Sequence, residues 1–270
     1  MNGELAQVVA LVAHGNVFLG GDTNSAAPDL LRTNSTFRHV SSVKFARYRD
    51  RGERSGTEVA ADVPAWFRFL RAAGVRRLWH VAFGWERRDA PEHQMAGFAG
   101  AVPVAIQGDL REAFELWYPA WRYEKGSEGA PWAVEYRSLM FDESHARRPD
   151  LGAVKTRLGA ALVRAERFAR GAGEATLGWA EWFSKALALL DDAAPVAPFH
   201  PDILPAEGYG LEARRLMAAA VQAHVFGGMG SWNDVWLEGE ELRREYESVS
   251  AELYDAVKVA AVAAPNSFTP

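Results

Sequence analysis

The spacing of apolar residues divides the chain into a first half dominated by predicted strands and a second half of predicted helices. Short apolar runs rich in β-branched and aromatic residues predict strands at residues 7–13, 36–48, 75–85, 101–109 and 131–142. Residues 17–22 are interpreted as a hairpin partner or a continuation of the first strand.

Two short helices are predicted between these strands. Asp62 as N-cap and Pro64 in the first turn mark a helix that ends at residue 74. Asp109 is the expected cap of a second helix over residues 110–118. The order strand, helix, strand allows a right-handed crossover and a partly parallel sheet.

From residue 150 onward the apolar residues recur at helical spacing. Trp179, Trp182 and Phe183 share one face of a predicted helix. A proline-rich connector, residues 194–210, follows this helix, and no function is assigned to it. The apolar stripe of the last predicted helix is formed by Leu242, Tyr246, Val249 and Leu253.

The predicted fold class is therefore α+β. An N-terminal mixed β-sheet with short crossover helices packs against a C-terminal layer of about four helices. The sheet-rich part covers residues 1–149 and the helical part covers residues 150–270. Because each predicted helix has an apolar stripe that must be covered, we expect the two parts to form one compact domain.

A glycine-rich stretch, residues 227–230, interrupts the helical half. A phosphate-binding or dinucleotide-binding loop needs a strand before its glycines, and none is predicted here. The acidic start of the next helix, which includes Glu240, disfavours a phosphate. We interpret the stretch as a turn between two helices, anchored by Trp232. The alternative is a site for a neutral or cationic ligand formed by Trp232, Asn233 and Asp234.

The composition is that of an ordinary globular protein with two unusual features. Of the 270 residues, 49% are hydrophobic and 24% are charged, while ten are tryptophan and none is cysteine. The lack of cysteine excludes disulfides, a thiol nucleophile and a thiolate zinc site. With no basic leader and no apolar stretch of membrane-spanning length, a cytoplasmic protein with no membrane partner is expected. The richness in Ala, Arg and Gly suggests a bacterial origin.

Positive charge is concentrated in residues 30–90, which hold 13 basic and 6 acidic residues although the net charge of the chain is −5. Such asymmetry is compatible with an anionic partner. The alternative, which the absence of a nucleic-acid-binding signature favours, is a solvated basic face. His39, Lys44 and Arg47 are the candidate binding residues. The period of two along a strand places His39 and Arg47 on one face and Lys44 on the other. Nucleic acid is not the expected partner, because no nucleic-acid-binding fold signature accompanies the charge.

The candidate catalytic residues lie near the first predicted strand. His14 and Asn16 follow this strand, at a position where α/β folds often place sites. With Asp22, from a turn rich in glycine, they form the candidate site, in which His14 is a general base. The alternative is that residues 14–16 form only a hairpin turn. The seven histidines are scattered without metal-ligand spacing, so no metal site and no cofactor is predicted.

These patterns support two functional hypotheses. The first is a soluble intracellular binding protein of accessory, immunity or defence type, whose partner is a protein or a small anionic molecule. The alternative is an enzyme that acts on a phosphorylated or acidic small molecule at a His-centred site. An enzyme is expected to gather His14 and another polar group in one deep cleft, whereas a binding protein is expected to show an exposed patch. The oligomeric state is left open.

Overall fold

The computed structural model describes residues 1–22, 24–50, 52–83, 91–98, 103–125 and 129–269, and these residues form an α+β fold. The first part contains α1 Gly3–Gly20, α2 Leu30–Thr33, a 3-10 helix Ser35–Phe37, β1 Val40–Arg47, β2 Thr57–Ala60, α3 Val63–Ala72, β3 Leu78–Ala82, α4 Glu92–Met95, β4 Val104–Asp109, β5 Phe114–Tyr123 and β6 Trp132–Phe141. The second part contains α5 Leu151–Gly171, α6 Glu174–Leu189, α7 Leu211–Ala223, a 3-10 helix Trp232–Asp234 and α8 Glu240–Asn266. The predicted fold class and its C-terminal helical layer are confirmed.

The strands of the described residues form one mixed sheet in the order β2-β1-β6-β5-β4-β3. β1 and β6 run parallel, and the other neighbouring pairs are antiparallel. The predicted crossover helix is α3, which connects β2 to β3 at the opposite edge of the sheet. Its N-cap is Asp62, whose carboxylate accepts a hydrogen bond from the backbone N–H of Ala65 at 2.7 Å, as the sequence predicts.

The strand predicted over residues 7–13 is wrong, because this segment lies inside the 18-residue helix α1. The side chain of Asn2 caps the helix by accepting a hydrogen bond from the backbone N–H of Leu5 at 3.0 Å. Nearly every residue from Leu5 to Ala13 is buried, so α1 has no polar stripe to reveal a helical period. A short apolar run that is buried all round has the same sequence pattern as a buried strand.

The helix predicted over residues 110–118 is also wrong, since this segment enters strand β5. β5 lies between β4 and β6, and sheet pairing on both sides overrides a weak helical preference. Asp109 is the last residue of β4, and its carboxylate accepts a hydrogen bond from the indole N–H of Trp79 at 2.6 Å. In the described residues the pairing of β4 with β5 ends at Trp117, so Pro119, which has no N–H to donate, lies beyond it.

Within the described residues, α1 contributes to a small hydrophobic cluster with Tyr209 and Phe268 and to the two large clusters that form most of the core. One cluster fills the helical part and includes Phe183 and Leu253. The other lies between α1, α3 and one face of the sheet, where the Phe45 ring stacks on the Trp66 ring with centroids 4.3 Å apart. α1 therefore lies between the two layers and carries its polar residues, including His14, into the interior of the fold.

The last helix, α8, is buried along its predicted stripe. Tyr246, Val249 and Leu253 are buried and Leu242 is half-buried, which confirms the apolar pattern read from the sequence. No helix within the described ranges combines the length and the apolar character that a membrane span requires.

Candidate functional site

His14 projects from α1 toward the connector of residues 194–210. Its Nε2 lies 2.9 Å from the backbone carbonyl oxygen of Asp202, and the amide of Asn34 donates to the same oxygen at 2.7 Å. A carbonyl oxygen only accepts hydrogen bonds, so Nε2 is the protonated nitrogen of the His14 ring. The Nδ1 of a neutral His14 is then a hydrogen-bond acceptor.

Asp202 holds the connector against the first part of the chain. Its carboxylate accepts hydrogen bonds from the backbone N–H of Ser35, at 2.8 Å, and from the Ser35 hydroxyl. The same hydroxyl lies 3.2 Å from Nδ1 of His200. These contacts tie the connector to the 3-10 helix that Ser35 begins, and they fix the carbonyl that orients His14.

A cleft of about 750 Å³ opens between α1 and the connector. Among the described residues, its polar lining consists of His14, Ser25, Asp202, Glu207 and Arg214. Apolar side chains form the rest of the wall, and they include Val17, Phe18, Leu204 and Met217. A concave, mostly apolar site with a few polar groups is the usual form of a small-molecule site.

Arg214 supplies positive charge to this lining, and one atom of its guanidinium is unsatisfied within the described part of the chain. Its Nε is buried and has no hydrogen-bond partner within the described residues. A buried donor without a partner carries a free-energy penalty, which a bound acceptor would relieve.

The histidines of this region are neutral near pH 7. Burial lowers the pKa of His14, and the carbonyl and charge of Asp202 oppose this effect only in part. Burial also lowers the pKa of His200, to about 4. His14 therefore presents an uncharged ring to the cleft, as a general base or a neutral hydrogen-bonding group requires.

The structure does not bring His14, Asn16 and Asp22 into one site. Asn16 is buried on another side of α1, where its amide donates to the carbonyl of Leu78 at 2.9 Å and accepts from the Leu78 N–H at 2.7 Å. Asp22 is exposed in the turn after α1, and its carboxylate accepts from the backbone N–H of Asn24 at 3.1 Å. Of the three predicted residues, only His14 lines the cleft.

The basic residues of β1 do not form one patch. Arg47 faces the covered side of the sheet and makes two hydrogen bonds, of 2.7 and 2.9 Å, with the fully buried carboxylate of Glu115. Lys44 lies on the other face, as the strand period predicts, with its Nζ 3.4 Å from Glu135. His39 is exposed before β1 begins, with its Nδ1 3.1 Å from the carbonyl of Gly129.

The side chains that follow the glycine stretch bind the protein itself. Trp232 is fully buried, and its indole N–H donates to the Ser250 hydroxyl at 2.8 Å. The amide of Asn233 donates to the carbonyl of His93 at 2.8 Å, while its Oδ1 is buried and has no partner in the part of the chain that is described.

Asp234 closes the same turn. Its carboxylate accepts from the N–H of Gly230 at 2.5 Å, and Gly230 has the positive φ of 82° that favours glycine. These contacts support the structural interpretation of residues 227–230.

The cleft depends on residues that the sequence pattern did not single out. Asn34 and Ser35 are neighbours in one segment, whereas Asp202 and Arg214 come from two others, and Ser35 and Asp202 are 167 positions apart. No local spacing predicts such a contact; the prolines around Asp202 indicate only a rigid connector. Among the described residues, no group of three or more His, Asp or Glu side chains is arranged to hold a metal ion.

Comparisons with models of protein families, with curated protein sequences and with solved structures find no match to this chain. The function is therefore argued from the geometry of the cleft.

Proposed function

We propose that this protein binds a small organic acid in the cleft between α1 and the connector. The observation that carries the proposal is that Arg214, whose buried Nε has no partner among the described residues, lines the same cleft as the neutral ring of His14. The cysteine-free sequence is compatible with the cytoplasmic location that we propose for this activity.

The polar groups of the cleft define the chemistry of the ligand. A guanidinium binds a carboxylate through parallel hydrogen bonds, so Arg214 is assigned to the acidic group. The Nδ1 of His14 accepts a hydrogen bond from a hydroxyl or an amine. Glu207 lines the same cleft and attracts an amine while repelling a second acidic group. A hydroxy acid or an amino acid therefore fits better than a multiply charged anion.

The ion pairs of β1 favour a small ligand in the cleft over a protein partner bound through β1. Arg47 is already paired with Glu115, and Lys44 with Glu135, on opposite faces of the sheet. Carboxylates of the protein thus occupy the two cations that were expected to attract an anionic partner.

Calorimetric titration tests the proposal. The probes are a panel of amino acids and hydroxy acids, each compared with its methyl ester. We expect at least one acid to bind saturably and its ester to bind about tenfold or more weakly, because the ester cannot form the ion pair with Arg214.

A pair of arginine variants supplies the control for this titration. Arg214→Gln is expected to abolish binding, whereas Arg243→Gln, which removes a charge from the exposed start of α8, is expected to preserve it. A set of acids that all fail to bind, or that bind Arg214→Gln as well as the wild type, would exclude this function.

The second candidate function is an enzyme that acts on the same acid. It is favoured by the fixed protonation of His14, whose Nε2 donates to Asp202 and whose Nδ1 is then available as a base. Turnover of the bound acid is followed by NMR with the wild type and with His14→Gln. Loss of turnover with retained binding identifies an enzyme, and a ligand that the wild type leaves unchanged identifies a binding protein.

A further inference from the structure

A second pocket, of about 430 Å³, lies where the end of β3 meets α8 and the segment before α5. Its ionisable lining residues are His80, His145, Arg147, Arg148 and Lys258, and none of the described residues that line it is acidic. It shares no lining residue with the cleft of His14.

The cations of this pocket are only partly neutralised. Arg147 and Arg148 are exposed, and within the described ranges neither has a hydrogen-bond or ion-pair partner. Lys258 is largely buried and pairs with Glu92. The pKa of the neighbouring Arg77 is lowered, first by burial and then by the positive charge of Arg148. Like charges crowded in this way make a bound anion favourable.

His80 gives the pocket a polar group of a different kind. It is buried, and its Nδ1 lies 3.3 Å from the carbonyl oxygen of Ala261. That oxygen only accepts, so Nδ1 carries the proton and Nε2 is an acceptor. Nε2 is buried without a partner in the described part of the chain. A ligand with both negative oxygens and a hydroxyl donor would satisfy the arginines and His80 together.

We propose that this pocket binds the phosphate group of a small phosphorylated molecule. The phosphate oxygens lie between Arg147 and Arg148, and a protonated oxygen or a hydroxyl of the ligand donates to His80. The organic part contacts the apolar wall formed by Val81, Val259 and Val262. This site stands independently of the function proposed for the cleft, because its residues and its ligand are different.

Phenyl phosphate is a suitable probe at about pH 5.5, because a phosphate monoester then keeps one proton that it can donate, and its ring is apolar. Burial lowers the pKa of His80 to about 4, so His80 remains a neutral acceptor at this pH. Calorimetric titration at constant ionic strength is expected to show saturable binding to the full-length protein. The double variant Arg147→Gln/Arg148→Gln is expected to bind about tenfold or more weakly. The matched control, Arg167→Gln/Arg243→Gln, removes the same number of charges from exposed positions on α5 and α8 and is expected to bind like the wild type.

A further variant tests the position of the ligand. Val262→Glu places a carboxylate in the half-buried wall of the pocket and is expected to weaken binding by a similar factor. Circular dichroism shows whether each variant is folded. Absence of saturable binding to the wild type, or equal weakening in the control double variant, would overturn the proposal. Binding that Val262→Glu leaves unchanged in a folded protein would do the same.

Discussion

The glycine turn and the cleft of His14 are both polar regions beside the helical layer, but their side chains have different partners. After the turn, the indole N–H of Trp232 binds Ser250 and the amide of Asn233 binds the carbonyl of His93. In the cleft, the Nε of Arg214 has no partner among the described residues, and the ring of His14 faces open volume.

The presence or absence of a partner within the protein separates polar residues that stabilise the fold from polar residues that can bind a ligand. A polar group that binds another segment of the protein stabilises the fold, and its loss is measured as a loss of stability. A polar group left without a partner beside a cavity contributes little to stability and is free to bind a ligand. Glycine content and local polarity did not distinguish the two regions. The Oδ1 of Asn233 also lacks a partner among the described residues, so the distinguishing feature is the cleft that Arg214 lines.

The largest expected effect is at Trp232, the anchor of the turn. Trp232→Ala leaves a cavity beside Phe183 and removes the partner of Ser250, so we expect a loss of about 3–5 kcal/mol in the free energy of unfolding. Urea denaturation followed by circular dichroism measures it. The control is Trp236→Ala, since Trp236 is 77% exposed and its loss should change stability by about 0.5 kcal/mol or less. Equal losses in both variants would contradict the assignment of Trp232 as the anchor.

The next largest loss of stability is expected at Asp202, because its carboxylate holds the connector against the first part of the chain. Asp202→Ala removes the acceptor of the Ser35 N–H and hydroxyl, and we expect a loss of about 1–3 kcal/mol. Glu207→Ala, at an exposed position of the same cleft, is expected to leave stability nearly unchanged. Thermal melts of the two variants compare them, and a stable Asp202→Ala protein would show that the connector is held by other contacts.

His200, in the connector, adds a pH dependence to the stability of the fold. Its pKa is about 4 in the folded protein and about 6.5 when unfolded, so the unfolded chain takes up a proton first as the pH falls. The contribution of His200 is fully present above about pH 6.5 and is lost progressively down to about pH 4. Because the ring is only partly buried, we expect a loss on the order of 1 kcal/mol.

His200→Gln measures that contribution. Urea denaturation near neutral pH and at about pH 4.5 should show a smaller loss of stability on acidification for the variant than for the wild type. An identical pH dependence in the two proteins would mean that His200 does not titrate between the two states.

Local signals predicted the elements whose ends are marked in the sequence. Asp62 and Pro64 placed the start of α3 correctly, because an N-cap and a first-turn proline act within a few residues. α1 was mistaken for a strand because its helical period is hidden by burial on all sides. β5 was mistaken for a helix because its conformation depends on pairing with β6.

The cleft was predictable only in part. The sequence identifies His14 as a candidate, but the carbonyl of Asp202, to which both His14 and Asn34 donate, reaches it only after the connector has crossed the fold. Contacts between segments this distant leave no period or spacing in a single sequence. Asn16, the second candidate, binds the backbone of β3, because it lies two residues farther along the helix and hence on another side.

The smallest expected effect on stability belongs to Arg214, and it gives the sharpest test of the comparison. Its Nε is a buried donor with no partner in the described part of the chain, so replacing the arginine with the shorter Gln removes a desolvation penalty together with the charge. We expect Arg214→Gln to change the free energy of unfolding by about 0.5 kcal/mol or less, or to raise it slightly. Asn233→Ala, which breaks the hydrogen bond to the carbonyl of His93, is expected to lose about 1 kcal/mol in the free energy of unfolding.

Thermal melts of the two variants, run in parallel with titrations of a cleft ligand, should give opposite patterns. Arg214→Gln is stable and does not bind, whereas Asn233→Ala is less stable and binds normally once the unfolded fraction is corrected for. A strongly destabilised Arg214→Gln protein would mean that this guanidinium holds the fold together, and the contrast between the two regions would fail at its most informative residue.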